Sequence, residues 1–399
     1  MKALNNNGVK ARMLVRDKES ASPTVVQLPP SPMHNWHFLW ERLVIFVRCR
    51  LSRKHLFEID IANAGYDITR LKEFKEADVI HLHWVNQGML SLKGIDKILR
   101  SGKPVVWTMH DIWPATGICH LTLGCRNFTS SCNHCRLLPG GGSNDDLSSR
   151  VWRMKKKILA QENVYYVACS RWLESEAKAS ALLRGHKLTS IPNPIDTHIY
   201  NSRCSREEAR RRLGLPADKQ LILFASQRAT NPNKGMDYLV AACRILQKSQ
   251  MTCEVIILGG HAEELVDLLP LKAHPLGYVN DEQRMVDVYR AADVFVLPSL
   301  SENLPNTIME AMACGVPCVG FRVGGIPEEI DHRRNGYVAD YRSAEDLARG
   351  ISWVLTEADY EALSRSAIQK VAQNYSQQSV AMKYLDVYHQ AMAFRHYGL

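Results

Sequence analysis

Short apolar runs of strand length alternate along this chain with longer stretches whose apolar residues recur at helical spacing. The first series of runs is VKARMLV (9–15), ADVIHLHW (77–84), PVVWTMHD (104–111) and VYYVACS (164–170), closed by LTSIPNPIDTHIY (188–200). Helical patterns fall between them: residues 1–8, LKGIDKILRSG (92–102), a basic stretch over 147–162 and RWLESEAKASALL (171–183). A polar, helical linker (201–219) leads to a second series, LILFAS (221–226), EVIILGG (254–260), ADVFVLPS (292–299) and PCVGF (317–321). The last stretch, 375–394, again has helical spacing. Strand–helix–strand alternation of this kind implies α/β domains with parallel, doubly wound sheets. The expected divisions are 1–198, 199–374 and a terminal helix over 375–399. With 399 residues, two domains of ordinary size are expected.

The most informative stretch runs from Ala292 to Gly325. SENLPN follows the strand ADVFVLPS, and its proline suits the first turn of the helix NTIMEAMAC, which Gly315 stops. The loop therefore lies where a strand's carboxyl end meets a helix amino end, the place where open α/β sheets bind ligands. Free amides at such a helix start favour an anion such as a diphosphate. Two carboxylates frame it, with Glu302 placed to face a reacting group and Glu310 to accept hydrogen bonds from sugar hydroxyls. A surface loop with a solvated helix face explains the same spacing.

Hydrophobic content of 46% and charged content of 23% are ordinary for a globular protein. No run of about 18 apolar residues is present, and the opening residues have no apolar middle, so the expectation is a cytoplasmic chain without span or signal peptide. The net charge of +9 points to an anionic partner: nucleic acid, a membrane surface or a phosphorylated substrate. Lys155–Lys157 and Arg210–Arg212 read as solvated helix faces. After a proline-rich connection (22–32), Trp36, Trp40, Leu43, Val44 and Val47 recur at helical spacing, with Arg42, Arg48, Arg50, Arg53 and Lys54 among or after them. Either this helix packs on the core with its arginines outside, or its aromatic side lies in a membrane interface.

Seven of the eleven cysteines are scattered. Cys119, Cys125, Cys132 and Cys135 cluster as C-x5-C-x6-C-x2-C within the segment 119–135. This spacing suits a structural tetrahedral zinc site folding a short insertion, with His120 and His134 as substitute ligands. A disulfide pair and four unligated thiols are the alternatives.

Glu302 and Glu310, with Leu304, Pro305, Asn306, Ala311, Met312, Ala313, Cys314, Gly315, Pro317, Gly324, Gly325, Ile326 and Pro327, resemble the E-x7-E signature of retaining, nucleotide-sugar-dependent glycosyltransferases of the GT-B fold. The resemblance runs from about residue 9 to the end. It implies two Rossmann-like domains facing a cleft. It also implies a diphosphate clamp from Arg228 and Lys234, base-holding backbone around Leu276, Gly277 and Tyr278, and Glu310 on the ribose. Asn303, Leu304, Pro305 and Asn306 would supply the loop at the diphosphate, while Glu302 and His110 would position the donor sugar. The final helix would pack back on the first domain. The family usually opens with a strand and a Gly-rich loop that this sequence lacks, so a truncated or misplaced start is expected. No metal or other cofactor is needed for the implied front-face attack; the donor is a nucleotide diphosphate sugar. The acceptor implied is a saccharide or lipid-linked saccharide of bacterial surface polysaccharide synthesis, with peripheral contact at an anionic inner membrane.

A zinc-containing nucleic-acid-binding protein would explain the charge and the thiols but not E-x7-E, and no finger-type or helix-turn-helix spacing accompanies it. An inactive relative that only binds is the other alternative. A dinucleotide oxidoreductase is disfavoured, because no G-x-G-x-x-G follows a strand.

Overall fold

The computed structural model describes residues 1–29, 34–161 and 163–397. The end of the proline-rich connection, 30–33, lies outside the described residues. The chain divides into two compact units. Unit 1 is residues 1–191 with 381–399, and unit 2 is residues 192–380.

Unit 1 carries a small parallel pair, β1 (Met13–Val15) beside β2 (Val25–Gln27), and a four-stranded parallel sheet. The larger sheet is β3 (Ile80–His83), β4 (Val105–Met109), β5 (Val164–Ala168) and β6 (Lys187–Ser190), in that spatial order. The two central strands are buried at every position, which explains why they read as continuous apolar runs rather than alternating ones. The helix Leu92–Leu99 starts at Ser91, whose hydroxyl accepts the Gly94 amide, and buries Leu92, Ile95, Ile98 and Leu99. The last helix, Gln377–Tyr397, begins in unit 2 and runs into unit 1. There Tyr384 and Tyr388 reach the sheet: Tyr384 shares a hydrogen bond with Thr108 (2.8 Å), and Tyr388 with His81 (2.7 Å).

Unit 2 holds a six-stranded parallel sheet built from β7 (Gln220–Arg228), β8 (Cys253–Gly260), β9 (Ala273–Gly277), β10 (Val294–Leu297), β11 (Cys318–Phe321) and β12 (Gly336–Ala339). Its order is β12-β11-β10-β7-β8-β9. The sequence moves outward from β7 in one direction through β8 and β9, then starts again at β10 on the other side. The topological switch point therefore lies between β7 and β10, and a ligand is expected beyond their carboxyl ends. Ile222, Phe224, Val255, Ile257, Val294 and Val296 form the buried centre.

Each of the two charge runs expected to be solvated turns one member inward, while Lys156, Lys157, Arg211 and Arg212 stay toward solvent. Lys155 is 1% exposed: its Nζ donates to the carbonyls of Trp113 (2.6 Å) and Thr116 (3.0 Å) and sits 3.3 Å from the Trp113 ring centroid. The Trp113 carbonyl also accepts the Thr116 amide (3.2 Å), whereas the Thr116 carbonyl is satisfied by the buried lysine. Arg210 is likewise buried, donating to Asp293 at 2.7 Å.

Candidate active site

Lys234 and Glu302 follow the two strands that flank the switch point in unit 2. Lys234 ends the short turn Pro232–Lys234 after β7, and Glu302 lies in the loop after β10. Lys234 Nζ donates to Glu302 Oε1 at 2.5 Å, and both side chains are mostly shielded from solvent. The two loops are also stitched through the backbone. Leu300 N donates to Asn233 O (2.8 Å), and Asn233 Nδ2 donates to Ser301 O (3.0 Å). Gly235 adopts φ +72°, where a Cβ would lie 1.9 Å from Pro298 O, so only glycine lets the loops approach this closely.

A third loop braces the backbone of the same loop at Glu302 and Asn303. Gly324, at φ +57°, packs against the Glu302 carbonyl, and a Cβ there would lie 1.7 Å from it. Gly325 N donates to Asn303 O at 2.7 Å. Leu304 and Pro305 are buried and anchor the turn, whereas Asn306, the first residue of the helix Asn306–Ala313, is exposed and accepts from Asn193 Nδ2 (3.1 Å). Pro305 precedes that helix without side-chain capping, which leaves its first amides for a ligand. Arg228 ends β7 on the surface, its Nε donating to Thr230 Oγ1 at 3.1 Å. Glu310 is held elsewhere on the helix. Its Oε2 accepts the Tyr289 hydroxyl (2.7 Å); burial raises its pKa, with the tyrosine bond acting against that. Gly277 closes β9 at φ +63°, next to the exposed Tyr278.

Sequence reasoning missed Glu329, which the chain buries completely behind this loop. Neither carboxyl oxygen has a hydrogen-bond partner, and burial, with Glu302 nearby, pushes its pKa well above the ordinary range. Two adjacent carboxyl groups, Glu328 and Glu329, between apolar residues in IPEEI are the signal that was available.

In unit 1, His110 follows β4, where its Nε2 and His83 Nδ1 share a hydrogen bond at 3.0 Å. Burial lowers the His110 pKa, Asp111 acting against it, so the imidazole is neutral near pH 7. Next to it lies a network that periodicity does not show. His120 lies between Asp111 (2.7 Å) and Asp60 (2.6 Å). Asp60 also accepts from Arg42, and Trp113 N donates to Asp111 Oδ1 at 2.8 Å. Burial alone would lower the His120 pKa, but the two carboxylates outweigh it and hold the ring as an imidazolium, with a pKa of about 9. Trp84, exposed and at φ +30°, donates its indole N–H to Asp111 at 3.2 Å. An aromatic residue kept in that conformation at a strand end is strain of the kind that functional sites hold.

The four cysteines expected to hold zinc lie within one another's electrostatic reach. Cys119, Cys125, Cys132 and Cys135 are all free thiols, and among the described residues no three His, Cys, Asp or Glu side chains form a group set to hold a metal. The segment is tied instead by protein hydrogen bonds. Cys132 Sγ accepts the Gly117 amide (3.2 Å), Asp146 accepts the Cys135 amide (2.9 Å), and Lys155 holds the turn before them. His120, expected as a substitute ligand, is committed to its two carboxylates. His134 shares a hydrogen bond with Asn144 (3.0 Å).

Residues 1–199 match the description Glycosyltransferase Family 4, and residues 219–357 match Glycosyl transferases group 1. Among curated relatives, an uncharacterized glycosyltransferase, MJ1607, of Methanocaldococcus jannaschii is 27% identical over 84% of this chain and 90% of its own length. Among solved structures, the sucrose-phosphate synthase of Thermosynechococcus elongatus superposes with a TM-score of 0.66 at 19% identity, over 98% of this chain and 91% of that one. Anabaena Alr3699/HepE, solved in complex with UDP-glucose, gives 0.56 at 19% identity, over 78% and 79%. The chain is a glycosyltransferase of the GT-B fold.

Proposed function

We propose that this chain transfers a sugar, with retention at the anomeric carbon, from a nucleotide diphosphate sugar to a hydroxyl of a saccharide acceptor. The observation that carries this reading is the Lys234–Glu302 pair, seated on three stitched loops at the switch point of unit 2 and next to an uncapped helix start. Lys234 and Arg228 stabilise the departing diphosphate, and the amides beyond Pro305 add to that field. Glu302 keeps the Lys234 ammonium in place until phosphate oxygens take over as its partner. Glu310, oriented by Tyr289, binds the ribose; the backbone around Gly277 receives the base. His110, a neutral imidazole, is the sugar-binding group that we assign to unit 1.

The UDP-glucose bound by the HepE structure supports a nucleotide sugar as donor. In unit 1, Trp84 offers a ring face and Asp111 a carboxylate, the pair of chemistries that a sugar's apolar and hydroxyl faces need. The acceptor we infer is a saccharide or lipid-linked saccharide of surface polysaccharide synthesis, reached from the inner face of an anionic membrane. The cations of the site are side chains, so turnover is expected to persist in a chelator.

The test is a donor panel of UDP-, GDP- and ADP-sugars followed by nucleotide release. One donor is expected to turn over in the wild type and not in Lys234→Ala. Release that is unaffected by Lys234→Ala, Glu302→Gln and Glu310→Gln alike would sink this assignment of the site.

A further inference from the structure

The helix His34–Arg48 is packed with its charged residues inward. Glu41 and Arg42 are buried. Arg42 donates to Asp60 and to Ile59 O (3.2 Å), while Glu41 Oε1 accepts the amides of Ile61 (2.8 Å) and Ala62 (2.6 Å). The outer face carries Trp36, Leu39, Trp40, Leu43 and Val47, each 40–56% exposed. Their spacing puts them on one stripe, and the Trp36 and Trp40 rings stack at 5.7 Å. The core-packed alternative for this helix, with arginines outside, is thereby reversed at Arg42. Rolling the helix to hide the tryptophans would pull Arg42 from Asp60 and Glu41 from the Ile61 and Ala62 amides, so these buried contacts lock the apolar stripe outward.

Monomeric proteins rarely leave such a stripe in water. Its surroundings indicate what covers it. Arg48, Arg50, Arg53 and Lys54 are exposed at the helix's carboxyl end, and between residues 34 and 57 the only acidic residue is the buried Glu41. The next acidic residue, the exposed Glu58, is paired with His55 at 2.9 Å, so a second copy of the same face would bring these four cations only one carboxylate, already engaged. No described helix is long and apolar enough to cross a membrane. We propose that this face docks on an anionic lipid surface, its tryptophans entering the interfacial zone and its cations meeting headgroup phosphates. The proposal deepens the reading of a membrane-side acceptor, but its test does not depend on that reading.

Co-sedimentation of the full chain with phosphatidylcholine vesicles, with and without phosphatidylglycerol, decides it. The wild type is expected to bind only the anionic vesicles, with its tryptophan emission shifted to the blue. Each surface cation contributes about fivefold, so Arg50→Gln/Arg53→Gln/Lys54→Gln should weaken binding on the order of a hundredfold. Trp36→Ser/Trp40→Ser should lose both binding and the emission shift. Nucleotide release from the donor in solution is expected to stay unchanged in both variants; its loss in every protein would count against the enzyme reading alone. Two results overturn the proposal. One is a wild type that ignores anionic vesicles or binds them as well as the variants do. The other is a wild-type dimer in sedimentation that Trp36→Ser/Trp40→Ser splits, which would make a second copy the occupant. If the tryptophan variant fails to fold, the cation variant decides by itself.

Discussion

Replacing His120 by glutamine should change how stability depends on pH, in one window and with one sign. The imidazolium lies between Asp60 and Asp111 at 2.6 and 2.7 Å, its side chain 15% exposed. Its pKa rises from 6.5 to about 9 on folding. Between those values the folded chain holds a proton that the unfolded chain has lost, so stability falls as pH rises. The contribution is fully present below pH 6.5 and gone above about pH 9. At about 1.4 kcal/mol per pH unit the difference comes to ~3 kcal/mol. Lys155 works in the opposite direction. Burial lowers its pKa to about 7, with Cys132 and Cys119 acting against that, so its cost is relieved as pH rises toward 10.5. The comparison must therefore be between two proteins and not along one curve. Urea unfolding of wild type and His120→Gln at pH 6, 7.5 and 9 provides it. The variant should be less stable at pH 6 by ~3 kcal/mol, with the gap closing toward pH 9. Parallel curves would refute the assignment of an imidazolium. Asp60→Asn, which also removes a carboxylate from the buried Arg42, should cost about 3–5 kcal/mol at pH 6, and the part carried through His120 should fade toward pH 9.

Three further outcomes are expected. Glu329→Ile should raise stability at pH 7 by about 1–3 kcal/mol in thermal melts, because a buried carboxyl without partners is removed. The wild type, whose folded pKa is raised, should lose stability as pH climbs above 4.5, and the variant should lose less. Lys234→Ala should lower kcat for the preferred donor about 10²–10³-fold, the scale of one lost donor to a developing anion. A rise in KM with kcat unchanged would speak against that role. Gly324→Ala forces a methyl group into the Glu302 carbonyl and a side chain into left-handed backbone. Donor turnover should drop with little change in the helix signal by circular dichroism, and unchanged turnover would show that the Glu302 loop tolerates displacement.

The turn around Pro305 was legible in the sequence because strand, proline and helix follow one another within a dozen residues. Lys234 was placed by resemblance, but its partnership with Glu302 joins residues 68 positions apart. It depends on β10 lying beside β7, an adjacency that periodicity does not carry. Local charge was a poor guide to exposure: Lys155 looks like its neighbours Lys156 and Lys157 until the carbonyls of the 113–116 turn are seen to accept from it. The stripe from Trp36 to Val47 was visible as a period, while its direction was set by Asp60, a partner some twenty residues downstream. Cysteine spacing gave closeness along the chain, but a partner such as the Gly117 amide at Cys132 comes from the fold and not from the spacing.

The last helix completes a unit begun almost four hundred residues earlier. During synthesis, the segment 192–380 emerges in one piece and can fold without waiting. The sheet holding His81 and Thr108 stays short of its two tyrosine partners until residues 384 and 388 have left the ribosome. A nascent chain halted before residue 381 would leave those polar groups without their tyrosine hydroxyls, so the unit translated first is matured by residues translated after the second.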